Sequence, residues 1–388
     1  MIRHLFSLIW NRKGQNALLI LEVIFASIIL FAVMSFVLFN LDRLRQPLGF
    51  DTKPVWAISL LVPPDTDSLA ISETRARLKT AVLDLPGVQT AAFSSFIIPF
   101  SGNVWVSSNT DMGFNFQTWT SAAGEGFADV LGLRLTAGRW PEEADYQDKY
   151  PPLVVNQLLA DRYFRDSSMV GRIIRLNGEK RVLGVVEHYK LEGEFGAETP
   201  MSFLPLEPGA DNGLVLLVRA ADDAGPALEQ SLDRAATDIA KGWDFQIQHL
   251  DEMRERDSRE VWAPMIALLS VCAFLVINVA LGLFGVLMYN INRRRPEIGL
   301  RMAAGASPRA IVGQFMLELL ILAGLGVLIA SVFAVQVPLL NLIEVPGKIY
   351  LQAGLATLGI LFTLVTICTL YPSIQASRIQ PAAALHED

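Results

Sequence analysis

Arg293, Arg294, Arg295, Arg301 and Arg309 share one short segment with a single acid, Glu297. Guanidinium groups are planar, permanently charged donors suited to carboxylates and phosphates. Glu297 and Arg301 stand at i and i+4, where opposite charges pair on one helical face. Ile298 and Met302 have the same spacing on another face. A small apolar knob rimmed by charge has the chemistry of a docking surface rather than of bond making. The site residues read from this stretch are Arg294, Arg295, Glu297, Ile298, Gly299, Arg301, Met302, Gly305, Ser307 and Arg309. The alternative reading is a plain topology determinant, positive charge held at a membrane surface.

Catalytic chemistry finds no such concentration. The histidines are His4, His188, His249 and His386. No H-E-x-x-H, C-x-x-C or G-x-S-x-G pattern occurs, and no G-x-x-x-x-G-K-[ST] phosphate loop. No catalytic, metal or cofactor-binding residue is assigned, and the chain is read as not an enzyme. Cys272 and Cys368 both fall in apolar runs, so the polar part of the chain rests on its own core without disulfides. Two carboxylates also lie in apolar runs. Glu318 reads either as a proton-relay carboxylate or as an interfacial residue paired with an arginine near Arg309, and the second is preferred. Glu22 is expected at the cytoplasmic interface or facing another helix.

The elements that must position these residues are helices in a membrane. Of the 388 residues 52% are hydrophobic, too many for an ordinary soluble protein. They concentrate in Ala17–Phe39, Ala263–Tyr289, Phe315–Leu340 and Leu351–Tyr371, each long enough to cross a bilayer core. The expected fold is an α-helical membrane protein with four transmembrane helices and a mixed α+β extracytoplasmic domain between the first and second. The boundaries are an amphipathic N-terminal helix at 1–16, spans at 17–39, 261–289, 315–340 and 351–371, a polar domain at 40–260, the charged loop at 290–314 and a tail at 372–388. Arg3, Arg12 and Lys13 before the first span, and the five arginines after the second, place both segments in the cytoplasm. The polar domain, the 341–350 loop with its lone Lys348, and both termini then take their sides without contradiction. The polar domain carries 22 Lys and Arg against 33 Asp and Glu, a balance of −11, which argues against nucleic acid and anionic lipid as its partners.

Local signals subdivide the chain further. Val55–Val62, Gln89–Pro99, Leu153–Asn156, Leu214–Arg219 and Phe245–Leu250 read as extended. Ser68–Leu85, Gln157–Phe164 and 225–241 read as helical, and Phe127–Arg139 as a short helix into a turn. Asn177-Gly178 between two apolar runs predicts a hairpin. Asp251–Glu260 is helix-prone and runs into the second span as a stalk, and Asn40–Arg45 extends the first. The charged segment is itself expected to be helical over about 293–304, capped by Gly305 and followed by a restart at Ser307-Pro308. Gly282, Gly285, Gly324, Gly326 and Ala330 permit close helix packing.

Arg293–Gln314 resembles the hallmark of MacB/FtsX-type ABC transporter permeases, R-R-x-E-I-G-x-x-x-A-x-G-A-S before the third span. Tyr371–Leu385 is similar to that family's C-terminal pattern, Y-P-x-x-x-A-x-x-x-x-P-x-x-A-L. Gly132–Arg139, Asn156–Phe164 and Gly171–Val186 resemble its periplasmic core domain. The resemblance implies a permease subunit in the bacterial inner membrane, paired with a second copy or a paralogue. Two ABC ATPase subunits would lie beneath it, and ATP and Mg belong to them. It also implies an outer domain of two subdomains, and mechanotransmission: ATP-driven motion of that domain for export or extraction, in some branches through a periplasmic adaptor and outer-membrane channel. With no phosphate loop, the ATPase is expected as a separate chain. Lipoprotein extraction and regulation of a periplasmic enzyme stay open as alternatives.

Overall fold

The computed structural model describes residues 13–109, 116–164, 168–207, 209, 213–340 and 345–376. The expected amphipathic helix before Lys13, His4, His386 and the end of the C-terminal pattern from Ser377 onward lie outside them. The chain forms two compact units, one of residues 1–42 and 262–388, the other of residues 43–261.

The elements in chain order begin with α1 (Lys13–Leu44), β1 (Val55–Leu61), α2 (Ser68–Leu83), β2 (Val88–Ser95), β3 (Val106–Asn109), β4 (Phe116–Ala123), α3 (Phe127–Leu131) and β5 (Leu135–Gly138). They continue with β6 (Pro152–Asn156), α4 (Gln157–Tyr163), β7 (Ile173–Arg175), β8 (Glu179–Val186), β9 (Met201–Pro205), β10 (Leu214–Ala220), α5 (Pro226–Ile239) and β11 (Asp244–His249). The chain then forms α6 (Leu250–Arg293), α7 (Arg295–Ala303), α8 (Pro308–Ala334), α9 (Gln336–Leu339) and α10 (Gly347–Ala376).

In the α+β unit, the described strands form one 11-stranded sheet, ordered β11-β1-β10-β2-β4-β9-β6-β8-β5, with β3 on β4 and β7 on β8. The seam between β2 and β4 is a single residue pair, Ser94 with Ala123. It divides the sheet into two groups of strands, consistent with the two subdomains that the resemblance implies. β1 shows why the strands form. Trp56, Ile58 and Leu60 point to one face, where they pack with Ile71 and Leu78 of α2 and Leu232 of α5. Val55 and Ala57 point to the other, into a core with Phe127, Leu131 and Phe203. That alternation is the period-two pattern of a strand buried on both sides. In the second group, Leu159 and Ala160 of α4 pack with Val155, Ile174 and Val182. The expected hairpin forms between β7 and β8, with Arg175 paired to Glu179 across the three residues 176–178, and Asn177 and Gly178 both adopt positive φ in the turn. Asn156 starts α4 by accepting from Leu159 N–H at 3.1 Å. Strands β3, β4, β5 and β9 were not expected from the sequence.

In the other unit, α1, α6, α8 and α10 are long and apolar enough to cross a membrane. The 44 residues of α6 make a helix of about 66 Å at 1.5 Å per residue, roughly twice a bilayer core. Leu19, Val23, Val279, Leu283, Phe315, Leu319 and Val365 form one shared cluster, and Leu30, Val33, Met265 and Leu361 another further along. Two of the five small residues sit where a larger one would clash. A Cβ on Gly326 would stand 2.8 Å from Val23 Cγ1, and one on Gly282 would stand 2.6 Å from a Glu22 carboxylate oxygen. Gly285 and Gly324 have nothing within 4 Å and make no such approach. Lys348 Nζ pairs with Asp42 Oδ1 at 2.9 Å, joining the start of α10 to the end of α1.

Candidate functional site

The charged segment folds as a helix isolated by a break at each end. Its N-cap is Arg294, with Pro296 in the first turn, where a missing N–H costs nothing. Glu297 lies in the first turn and Arg301 in the last, each complementing the helix dipole. The far end is closed by Gly305 N–H to Met302 C=O at 3.0 Å and Ala306 N–H to Arg301 C=O at 3.0 Å. This is the Schellman pair, and it needs the left-handed φ of +94° that Gly305 adopts. Two residues on, Ser307 Oγ accepts from Ala310 N–H at 3.3 Å and Pro308 opens α8.

The structure sorts the ten site residues into two groups. Arg295, Glu297, Arg301, Gly305, Ser307 and Arg309 are exposed. Arg301 pairs with Glu297 at 2.5 Å, as their spacing predicts, and also donates to Gln314 Oε1 at 2.8 Å. Ile298 and Gly299 are buried, and Met302 packs against the same cluster as Ile298. The apolar knob is therefore not Ile298 with Met302. The exposed large apolar side chain of this helix is Leu300, 62% exposed, which the sequence reading passed over. At 100° per residue, Leu300 lies about 200° round the helix from Ile298. Once Ile298 faces the bundle, Leu300 must face away from it.

Arg294 also departs from the expected docking role. Its side chain is 7% exposed and turns inward to Glu318 of α8, which is 10% exposed. The contact is two-pronged, Nη1 to Oε2 at 3.1 Å and Nη2 to Oε1 at 3.2 Å. Glu318 thus pairs with an arginine as preferred, but not with one near Arg309. Arg309 lies nine residues earlier on the same helix, about 13 Å along its axis, whereas the corner between α6 and α7 reaches it directly. Glu22 faces α6 at Gly282. The two described histidines have structural neighbours: His188 Nδ1 lies 3.1 Å from Glu198, and the His249 ring lies 4.4 Å from that of Trp56, tilted by 36°.

Four helices of spanning length and an α+β domain between the first two define a multi-pass membrane protein with a charged helical corner between its second and third spans. The sequence profile of the MacB-like periplasmic core domain matches residues 17–235, and that of the FtsX-like permease C-terminal domain matches residues 269–381. The macrolide export ATP-binding/permease protein MacB of Neisseria meningitidis is 25% identical over 339 residues, 80% of this chain and 50% of that protein. The uncharacterized ABC transporter permease YvrN of Bacillus subtilis is 25% identical over 285 residues, 67% of this chain and 68% of that one. Among solved structures, the periplasmic region of MacB from Actinobacillus actinomycetemcomitans matches with a TM-score of 0.39 and 17% identity, covering 55% of this chain and 97% of that one. The chain belongs to the MacB/FtsX family of ABC transporter permeases. It spans about half the length of the MacB relatives it matches.

Proposed function

We propose that this chain is the permease subunit of an ATP-driven transporter of the MacB/FtsX class, in which α7 docks on an ABC ATPase carried by a separate chain. The observation that carries the reading is α7 itself. It is a nine-residue helix set off from its neighbours by breaks, with its apolar side buried and Arg295, Glu297, Leu300 and Arg301 turned outward. Such a helix gives a partner one rigid, charged surface to push against. The positive-inside rule puts that surface in the cytoplasm of a bacterial inner-membrane protein. The acidic α+β domain then lies on the opposite side, where its motion does the work of export or extraction. YvrN, named an ABC transporter permease, supports the permease reading of this chain. A second copy or a paralogue completes the permease pair, and the outer domain meets an adaptor where export continues across an outer membrane.

The reading is tested by co-expressing the full chain with the ABC ATPase encoded beside it, then measuring copurification and ATP hydrolysis. The pair Glu297→Lys with Arg301→Glu keeps an i,i+4 ion pair but reverses the charge pattern. Loss of association or of stimulated hydrolysis is expected. Wild-type levels of both would refute the docking role.

A further inference from the structure

Arg294 is the single residue between α6 and α7. Its N–H donates to the carbonyls of Asn290 and Ile291, both at 3.1 Å, and its own carbonyl accepts from Ile298 N–H at 2.9 Å. The backbone therefore serves both helices while the side chain grips a third. That grip is a fork-to-fork contact with Glu318, the geometry in which guanidinium and carboxylate bind most strongly and most directionally. The guanidinium also stands over the Phe315 ring at 5.9 Å, a favourable place for a cation. Phe315 and Leu319, on either side of Glu318, belong to the shared apolar cluster with Ile298, Ile291 and Ile311.

The surroundings decide what the pair does. An exposed ion pair breaks and re-forms at little cost. A pair held among apolar side chains does not, because separating its members leaves two charges with neither water nor a partner. For α7 to swing away from α8, Arg294 and Glu318 would have to part in that setting. A second tie, Arg301 to Gln314, holds the other end of α7 to the start of α8. Glu318 lies ten residues into α8, about 15 Å along its axis, so the attachment is deep in the helix rather than at its frayed end.

We propose that Arg294 and Glu318 are a positioning pair that makes α7 and α8 one body, so that a push on α7 is delivered to the third span. The functional half of this rests on the reading of α7 as the ATPase-docking helix, and the mechanical half does not. Under this proposal α7 is a lever rooted in α8, with α6 joined to its start through the Arg294 backbone.

The test uses the full chain in lipid nanodiscs, with Cys272 and Cys368 replaced by serine and nitroxide spin labels on Leu300→Cys and Gly313→Cys. Gly313 is exposed and has nothing within 4 Å of an added Cβ. The parent protein is expected to give one narrow spin–spin separation. Glu318→Gln and Arg294→Gln should broaden it, and the reversed pair R294E/E318R should restore most of it. The apolar pair R294M/E318L removes both charges together, so it folds even if a single variant does not, and it too should release α7. An unchanged separation in R294M/E318L would show that packing alone fixes α7 and would overturn the proposal.

In unlabelled protein with the copurifying ATPase, Glu318→Gln should lower kcat for ATP about tenfold, leave KM for ATP within twofold and retain association, with R294E/E318R rescuing kcat. Released α7 with unchanged kcat would overturn the delivery of force through this pair. If the ATPase fails to associate with the parent chain, the docking reading falls, and the spin-label result still decides the pair.

Discussion

Lys190 Nζ donates to the backbone carbonyl of Arg43 at 3.0 Å. The lysine is fully buried, and it makes a second such bond to the carbonyl of Glu194 at 2.7 Å. Arg43 lies in the last turn of α1, where carbonyls have no partner within the helix and a cation completes them. Arg43 in turn donates to Phe195 C=O at 2.8 Å. Glu194 reaches the other way: its carboxylate pairs with Arg254 of α6 and accepts from Ser258 Oγ at 3.2 Å. The segment from Lys190 to Phe195 thus holds the last turn of α1 and the first turns of α6 through one short run of polar contacts.

Lys190→Met should therefore destabilise the α+β domain by about 3 kcal/mol, since two hydrogen bonds from a charged donor are lost and two carbonyls are left unpaired. Burial and the nearby Arg43 charge both lower the Lys190 pKa, with burial the larger cause. Between that lowered value and the ordinary lysine value of about 10.4, the unfolded chain binds more protons than the folded one. The contribution of this group to stability accordingly rises with pH across that window. Thermal unfolding of the full chain in detergent at neutral and alkaline pH measures both effects. A variant as stable as the parent at neutral pH, or one with the parent's alkaline slope, would show that Lys190 carries no such load.

Close packing in the membrane unit makes a paired prediction. Gly326→Leu should force α8 from α1 at Val23 and lower stability by about 1 to 3 kcal/mol, the usual range for overpacking. Gly324→Leu, two residues away with open space around it, should be tolerated. Equal effects at the two positions in a detergent melting assay would contradict the packing seen here.

The turn after α7 can be tested in the same way. Ser307→Ala removes an N-cap and should cost about 1 kcal/mol, seen as faster amide hydrogen exchange at the start of α8. Gly305→Ala forces a side chain into a left-handed conformation and should speed exchange in the last turn of α7 instead. If both changes loosened the same residues, the two helices would not be separated by the break described.

Much of this arrangement was legible in local chemistry. The Asn177-Gly178 turn, the Gly305 and Ser307-Pro308 punctuation and the four apolar runs each depend on neighbours in sequence, and each formed where its residues indicated. The four missed strands show what is not local. Inside β4 the buried residues are mostly hydroxyl-bearing, Thr118, Thr120 and Ser121, with Ala123 at its end. Their hydroxyls are satisfied across the sheet, Thr118 with Ser202 at 2.7 Å, Thr120 with Ser107 at 3.3 Å and Ser121 with Ser95 at 3.3 Å. A buried strand that satisfies hydroxyls on its neighbours has no apolar alternation to read. The pairing of Arg294 with Glu318 was hidden for a related reason. An arginine in a basic run looks solvent-facing until the helix before it ends one residue earlier and turns its side chain inward.

The α+β domain carries a second contact whose contribution also rises with pH, in an acidic rather than an alkaline window. Arg139 grips Asp145 with two bonds, 2.6 and 2.7 Å, and Asp145 also accepts from Glu142 N–H at 2.8 Å. The hydrogen bonding of Arg139 chiefly, helped by the Glu142 backbone and the Arg139 charge, holds the Asp145 carboxyl below the usual range against the opposing effect of burial. A carboxylate with a lowered folded-state pKa adds stability above the ordinary aspartate value of about 3.9 and loses it as pH falls through the folded value. Asp145→Asn should therefore be less stable than the parent at pH 7, and the gap should close as the solution is acidified below about pH 4. Arg139 is half-exposed, so the difference at pH 7 should be modest, about 1 kcal/mol or less. Denaturant titrations at a series of pH values would show it, and a gap that widened in acid would reverse the assigned sign.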